Sequence, residues 1–183
     1  MLREVRDLVK KEASEDDWKY HFIPVVKYAK QLAKFQNVNK EIVELAALLH
    51  DIGRIRHGGK NHEITGIPEA EKILKKLNAP KSVIDEVKHC IQTHRGSEDF
   101  PPKTSIAKII ANADAMAHFD VLLKLFEIGI KRKKLSFEES LKGLEAKLDR
   151  DWNKKITIPK AKEMAKEKYQ AIKLILNSNK EYM

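Results

Sequence analysis

Two adjacent residues carry the first chemical signal: His50 and Asp51 close an apolar run in Leu48-Leu49-His50-Asp51-Ile52-Gly53. A neutral imidazole nitrogen and a carboxylate oxygen both suit Fe, Mn, Co, Ni or Zn, so such a pair could take two neighbouring positions on one divalent ion. A helix cap or a surface ion pair would use the same two residues. His21 lies upstream, where another apolar-periodic stretch begins, and Asp114 lies downstream in Ile109-Ile110-Ala111-Asn112-Ala113-Asp114-Ala115-Met116-Ala117. A carboxylate in that alanine-rich segment is costly to bury unless it is paired or coordinates a cation. The alternative, an exposed polar stripe shared with Lys108 and Asn112, leaves the flanking alanines without a role.

More imidazoles stand at element ends. His62 precedes an amphipathic stretch in Asn61-His62-Glu63-Ile64-Thr65-Gly66, and His94 ends one in Ile91-Gln92-Thr93-His94-Arg95, with His89 five residues earlier and so turned well away from His94. Each could equally be a polar side chain beside a loop. Two charged loops follow these residues, Gly53 to Asn61 and Arg95 to Pro102, and loops leaving helix ends are common places for substrate contacts. His118, one helical turn after Asp114, shares its face and reads as an ordinary polar residue or as a support for the aspartate. Cys90 is read as a small core residue, and Trp18, Tyr20 and Trp152 as core aromatics rather than base-stacking groups.

The elements that must position these groups are helices. Apolar residues recur at helical spacing in Phe22, Val25, Val26, Ala29, Leu32 and Ala33, and again in Ile42, Leu45, Ala46 and Leu49. The periodicity predicts helices at about 2–12, 22–36, 40–50, 63–77, 81–94, 104–133, 137–151 and 160–177. Pro24 is tolerable only in a first turn, which places His21 at that helix's start. The 183 residues suit one domain; a charged fraction of 34% with seven Gly and six Pro argues against a sheet-and-turn fold. No stretch reaches the length of a bilayer span, and the charged N-terminus is unlike a secretory signal, so a cytoplasmic protein without membrane contact is expected. The net charge of +9 favours anionic partners. Because the lysines are spread along most helices and the densest run is Lys131-Arg132-Lys133-Lys134, the pattern argues against a dedicated nucleic-acid surface.

His21, the segment Ala47 to Gly53 (ALLHDIG) and the segment Ala111 to Ala117 (ANADAMA) occur in the order found in the HD-domain superfamily of metal-dependent phosphohydrolases, which the chain resembles over about residues 16 to 125. The resemblance implies an all-α, compact helical bundle with a metal site in its core, held by His21, His50, Asp51 and Asp114. Residues 135–183 are then a C-terminal helical extension packed on the same domain, 1–183. The order of the remaining histidines is similar to the superfamily's two-metal branch, in which Asp51 would bridge the ions and His62 and His94, with His89 in reserve, would hold the second. One or two divalent ions are expected. At Ala115 and Ala117, where many relatives carry polar or charged residues, the chain departs from the pattern, which removes any substrate preference borrowed from those relatives.

The activity this implies is hydrolysis of a small-molecule phosphate ester, a nucleotide-like monoester or diester, by metal-activated water. Asp51 would be central, and Arg54, Lys60 and Arg95 are the candidates for neutralising phosphate charge, ahead of Arg56, His57 and Lys103. The competing readings are a non-catalytic nucleotide-binding module and a nucleic-acid-binding module.

Overall fold

The computed structural model describes residues 1–96 and 100–179. Its elements are α1 (Leu2–Glu12), α2 (Glu15–Asp17), a π-helical turn π1 (Trp18–Phe22), α3 (Ile23–Ala33), α4 (Lys40–Leu49), α5 (Ile52–His57), α6 (His62–Lys76), α7 (Lys81–Thr93), α8 (Ser105–Asp120), α9 (Leu122–Lys131), α10 (Phe137–Arg150), a second π turn π2 (Asp151–Lys155) and α11 (Pro159–Asn179). Among the described residues no strand occurs. The expected all-α bundle is the fold found.

Local chemistry sets the boundaries. The Asn39 side chain accepts hydrogen bonds from the amides of Glu41 and Ile42 at the start of α4, and Thr104 caps α8 through the Ala107 amide. Ser136 and Glu139 form a reciprocal capping box on α10. α8 runs through the middle of the molecule, buried on every side from Ile109 to Phe119, with α3, α4, α7, α11 and π2 packed around it. A helix that is apolar all round needs neighbours on all sides. Its three buried polar interruptions, Asn112, Asp114 and His118, are therefore costly unless satisfied. Asn112 is: its side-chain oxygen accepts from the Thr157 and Ile158 amides, which fastens the chain after π2 to α8.

Three expectations are corrected. The stretch before α3 begins earlier than 22, with π1, whose wider turn carries His21 within a continuous helical path rather than at a helix start. The loop expected at Gly53 to Asn61 is helical in its first half, as α5. The long helix expected over 104–133 is broken at Val121, whose φ of −121° and ψ of 31° turn the chain between α8 and α9. The break follows Asp120, whose carboxylate accepts a hydrogen bond from the Tyr28 hydroxyl and is gripped by Lys27 and Lys168. The proposed extent of the loop from Arg95 to Pro102 includes Ser97, Glu98 and Asp99, which lie outside the described residues.

That tether has a pH signature. Burial opposes the Asp120 charge, but Lys168 and Tyr28 outweigh it and hold the carboxyl below its ordinary value. A depressed folded-state value stabilises the fold above the unfolded value near 3.8 and is lost as pH falls through the folded one. Asp120→Asn is therefore expected to lower the melting temperature by about 2–4 °C at pH 7. The deficit should shrink toward zero as pH falls through the folded-state value, which melting curves across pH would show.

Candidate metal centre

Six of the imidazoles and carboxylates singled out in the sequence converge around Asp114, in the second half of α8. His21 arrives from π1, His50 from the end of α4 and Asp51 from the link to α5; His62 opens α6, His94 follows α7, and Asp114 lies on α8. His21 Nε2 stands 2.9 Å from His50 Nε2, 2.9 Å from Asp51 Oδ2 and 3.7 Å from Asp114 Oδ1. On the other side, Asp51 Oδ1 lies 3.1 Å from His62 Nε2 and 3.4 Å from His94 Nε2. The two oxygens of Asp51 thus face two different clusters, His21 with His50, and His62 with His94.

Ring orientation is fixed from behind. His50, His62 and His94 donate Nδ1–H to the carbonyls of Ala47, Gly59 and Ile91, at 2.8, 2.9 and 2.6 Å. A carbonyl can only accept, so in each neutral ring Nε2 keeps its lone pair and points it into the cluster. His62 Nε2 and His94 Nε2 then face each other at 3.1 Å, with the buried Asp51 Oδ1 beside them and no hydrogen-bond donor for that oxygen among the described residues. Three acceptors so close together require a shared proton or a cation. The donor set therefore fits a divalent ion, and imidazole with carboxylate is the chemistry that Fe, Mn, Co, Ni and Zn share.

Electrostatics point the same way. Burial pushes His50 down to about 3, which keeps the ring neutral. Burial also works against charge on Asp51 and Asp114, yet the surrounding imidazoles for Asp51 and the Lys155 ammonium for Asp114 hold both well below the ordinary carboxylate range. At His62 burial opposes protonation and the Asp51 carboxylate outweighs it, so that ring is raised.

The cationic candidates separate. Arg54 donates from Nε to Asp51 Oδ2 at 2.6 Å and from Nη1 to Asp17 Oδ1 at 2.9 Å, so it clamps the shared aspartate. Arg95 stands at the edge of the cleft, held by Glu63 at 2.9 Å. Lys60 is exposed and does not line the cleft. Arg56 and His57 are engaged with Glu12 and Glu69, Lys103 is exposed, and His89 Nε2 accepts the Lys103 amide away from both clusters. Cys90 is buried in the core, and Trp152 stacks on Tyr169 with centroids 4.5 Å apart.

Two lysines escaped the sequence reading, and His118, read there as an ordinary polar residue or a support for Asp114, lies closer to the site than that. His118 joins His21 and Asp114 as a further possible ligand group, with Nε2 3.7 Å from Asp114 Oδ1 and its other nitrogen on Asp151 at 2.8 Å. Lys155, buried, reaches Asp114 Oδ2 at 2.5 Å, and Lys147 lines the same cleft. The i, i+4 relation of His118 to Asp114 was available as a signal; the lysines, in a Lys/Glu-rich stretch, offered none. The cleft above the clusters measures about 760 Å³, with Tyr20 and Phe100 among its lining residues.

Comparison with known proteins bears on what this arrangement does. Residues 18–118 match the family model described as HD domain. Two curated relatives are both named tRNA (cytidine(56)-2'-O)-methyltransferase: one from Picrophilus torridus, 28% identical over 66% of this chain and 37% of its own length, and one from Thermoplasma volcanium, 27% identical over 73% and 41%. The chain thus spans less than half the length of the curated relatives it matches. Among solved structures, Bacillus subtilis YpgQ in complex with ADP superposes with a TM-score of 0.78 at 20% identity, over 98% of this chain and 94% of that one. A protein from an uncultured Thermotogales bacterium, described as a predicted HD superfamily hydrolase, gives 0.67 at 20% identity, over 99% and 92%.

These relatives correct two expectations. Hydrolysis of a small phosphate ester is overturned by the curated names, which denote methyl transfer, and the argument against nucleic acid is overturned because their named substrate is a tRNA. The physical reason is that a ligand set on a helical scaffold specifies what can be bound, whereas the reaction depends on groups grafted around it. Dispersed lysines likewise say little about where folding gathers them. No described helix is long and apolar enough to cross a membrane. With the family pattern running through His21, His50, Asp51 and Asp114, all of which the fold gathers at one place, the chain belongs to the HD domain family.

Proposed function

We propose that this chain is a metal-bearing helical module that grips the phosphates of a tRNA, in the cytoplasm, within a system of the 2'-O-methylating kind for which its curated relatives are named. The observation that carries the reading is Asp51, one buried carboxylate shared by two groups of acceptor nitrogens at the floor of a cleft with cations on its walls. His21, His50, Asp51 and Asp114 would hold one ion, and Asp51, His62 and His94 a second, with the C-terminal helices belonging to the same domain. When bound, such ions supply concentrated positive charge that attracts and polarises phosphate oxygens.

The chain's own residues do the rest. Arg54 keeps Asp51 oriented, and its position between two carboxylates makes it a holder of the site rather than a phosphate ligand. Arg95 can exchange Glu63 for a phosphate, to which a guanidinium offers two parallel hydrogen bonds. Tyr20 and Phe100, lining the cleft, suit stacking of unpaired bases, the usual mode of RNA recognition.

The test is metal analysis of the purified protein, tRNA binding with and without a chelator, and transfer of a labelled methyl group to tRNA by the chain together with its natural partners. Two ions per chain are expected, with chelation weakening tRNA binding about tenfold or more and lowering the melting temperature by about 5–10 °C. A metal-free protein whose tRNA affinity ignores the chelator would sink the reading. ADP, the ligand of the YpgQ neighbour, serves as the small competitor.

A further inference from the structure

Lys147, Arg150 and Lys155 lie on the wall formed by α10 and π2, beyond the stretch that matches the family model, and all three line the cleft together with His21, Asp51 and Asp114. Their spacing is that of one helical face, extended across the π turn. Asp151, in their midst, is fully buried and is, among the described residues, the nearest carboxylate to Lys147 and Arg150, at 3.7 and 3.9 Å. Both distances exceed a hydrogen bond, and among the described residues neither cation makes a hydrogen bond or a second close ion pair, although Asp114 attracts Lys147 from further off. Lys147 is in addition mostly buried, so it lacks the full hydration that would satisfy an exposed ammonium. By contrast, Lys124, which also lines the cleft, is held by Asp16 at 2.7 Å, and Lys155 by Asp114 at 2.5 Å.

Among the described residues, the wall therefore carries two cations whose hydrogen-bonding capacity is unspent, facing a cleft that leads to the two histidine–aspartate clusters. Lys147 and Arg150 stand three residues apart on α10, which sets their Cβ atoms about 5–6 Å apart, a spacing suited to successive phosphates of a chain. We infer that this wall is a binding track for the phosphodiester backbone of an RNA strand passing the clusters, with Lys147 and Arg150 contacting consecutive phosphates. The inference rests on the tRNA reading above and adds to it a strand path and the residues that set it.

The experiment is binding of an unmodified tRNA transcript to the metal-loaded protein over a series of salt concentrations, for wild type, Lys147→Met with Arg150→Gln, and Arg150→Glu alone. Methionine keeps the buried stem of Lys147, and Arg150 is more than half exposed, so the last variant tests the track without disturbing the interior. The double variant is expected to bind tRNA about tenfold or more weakly at low salt. Its plot of log affinity against log salt should be shallower by about 1.5, the loss of two phosphate contacts. Arg150→Glu should weaken binding in the same direction, and metal content should be unchanged in both. Unchanged affinity and slope in variants that keep their metal would overturn the track alone, as would weakened ADP binding with tRNA binding intact. A wild type that does not bind tRNA would bring down the broader reading and the track with it.

Discussion

Asp51→Ala is expected to empty both clusters at once, whereas loss of any single histidine should disturb only the cluster to which it belongs. The carboxylate reaches His21 through Oδ2 and His62 and His94 through Oδ1, so one substitution removes an oxygen from each set. It also removes the negative charge that offsets a cation among neutral rings. The affinity for each ion should fall by more than the roughly 10–100-fold that loss of a partner behind a ligand produces. Binding of tRNA should weaken with it. Asp51→Asn, which keeps the shape and still offers one oxygen, should retain part of the metal. Both variants should keep the helical circular dichroism, because the apolar packing around α8 does not depend on this side chain. Full metal content in Asp51→Ala, measured by elemental analysis after dialysis, would remove the aspartate from its proposed place.

The second large effect involves no charge. Gly53 is where α5 crosses α6, and a Cβ there would lie 2.3 Å from the His62 carbonyl oxygen and 2.5 Å from the Gly66 nitrogen. Those are backbone atoms and cannot swing aside as a side-chain tip would. Gly53→Ala should therefore destabilise the protein by about 3 kcal/mol or more, a fall in melting temperature of about 6–12 °C. The same push acts on the backbone of His62, so the Asp51, His62 and His94 group should lose metal more readily than the other. Gly66→Ala is the milder comparison, since its Cβ would meet the Ile91 side chain at 3.0 Å and the Gly53 nitrogen at 3.2 Å, contacts relieved by shifts of a few tenths of an ångström. An unaltered melting curve for Gly53→Ala would mean that the helices can separate freely at this crossing.

Much of this arrangement was legible in the chain. The helical class followed from the spacing of Val25, Ala29 and Leu32 and from that of Leu45 and Leu49, and the gathering of His50, Asp51, His62, His94 and Asp114 from imidazoles and carboxylates placed at helix ends and in an alanine-rich helix. Other parts were not, for identifiable reasons. The break at Val121 depends on Asp120 being held by Tyr28, Lys27 and Lys168, residues distant in sequence. Arg54 read as a phosphate contact because its partner Asp17 comes from another element, and that pairing turns it toward Asp51. Lys155 and Asp151 sat in a Lys/Glu-rich stretch indistinguishable from a solvated face until π2 folded them inward. The reaction was the least legible feature, because the residues that gather an ion do not specify what is done beside it.

One packing detail sets an order of events during synthesis. The stem of Lys155 lies across Gly96, whose φ of 65° and missing side chain leave room for it: a Cβ at that position would stand 2.9 Å from Lys155 Cγ. All the histidines and aspartates of the two clusters precede residue 120 and leave the ribosome first, yet the ammonium that balances Asp114 comes only with π2. A nascent chain halted after α9 would therefore hold the clusters with an uncompensated Asp114, open to any cation at hand. Once α10 and π2 dock, Lys155 occupies one oxygen of that aspartate and leaves the other turned toward His21. The charge balance of Asp114 is thus completed by a segment made after every histidine and aspartate of the two clusters.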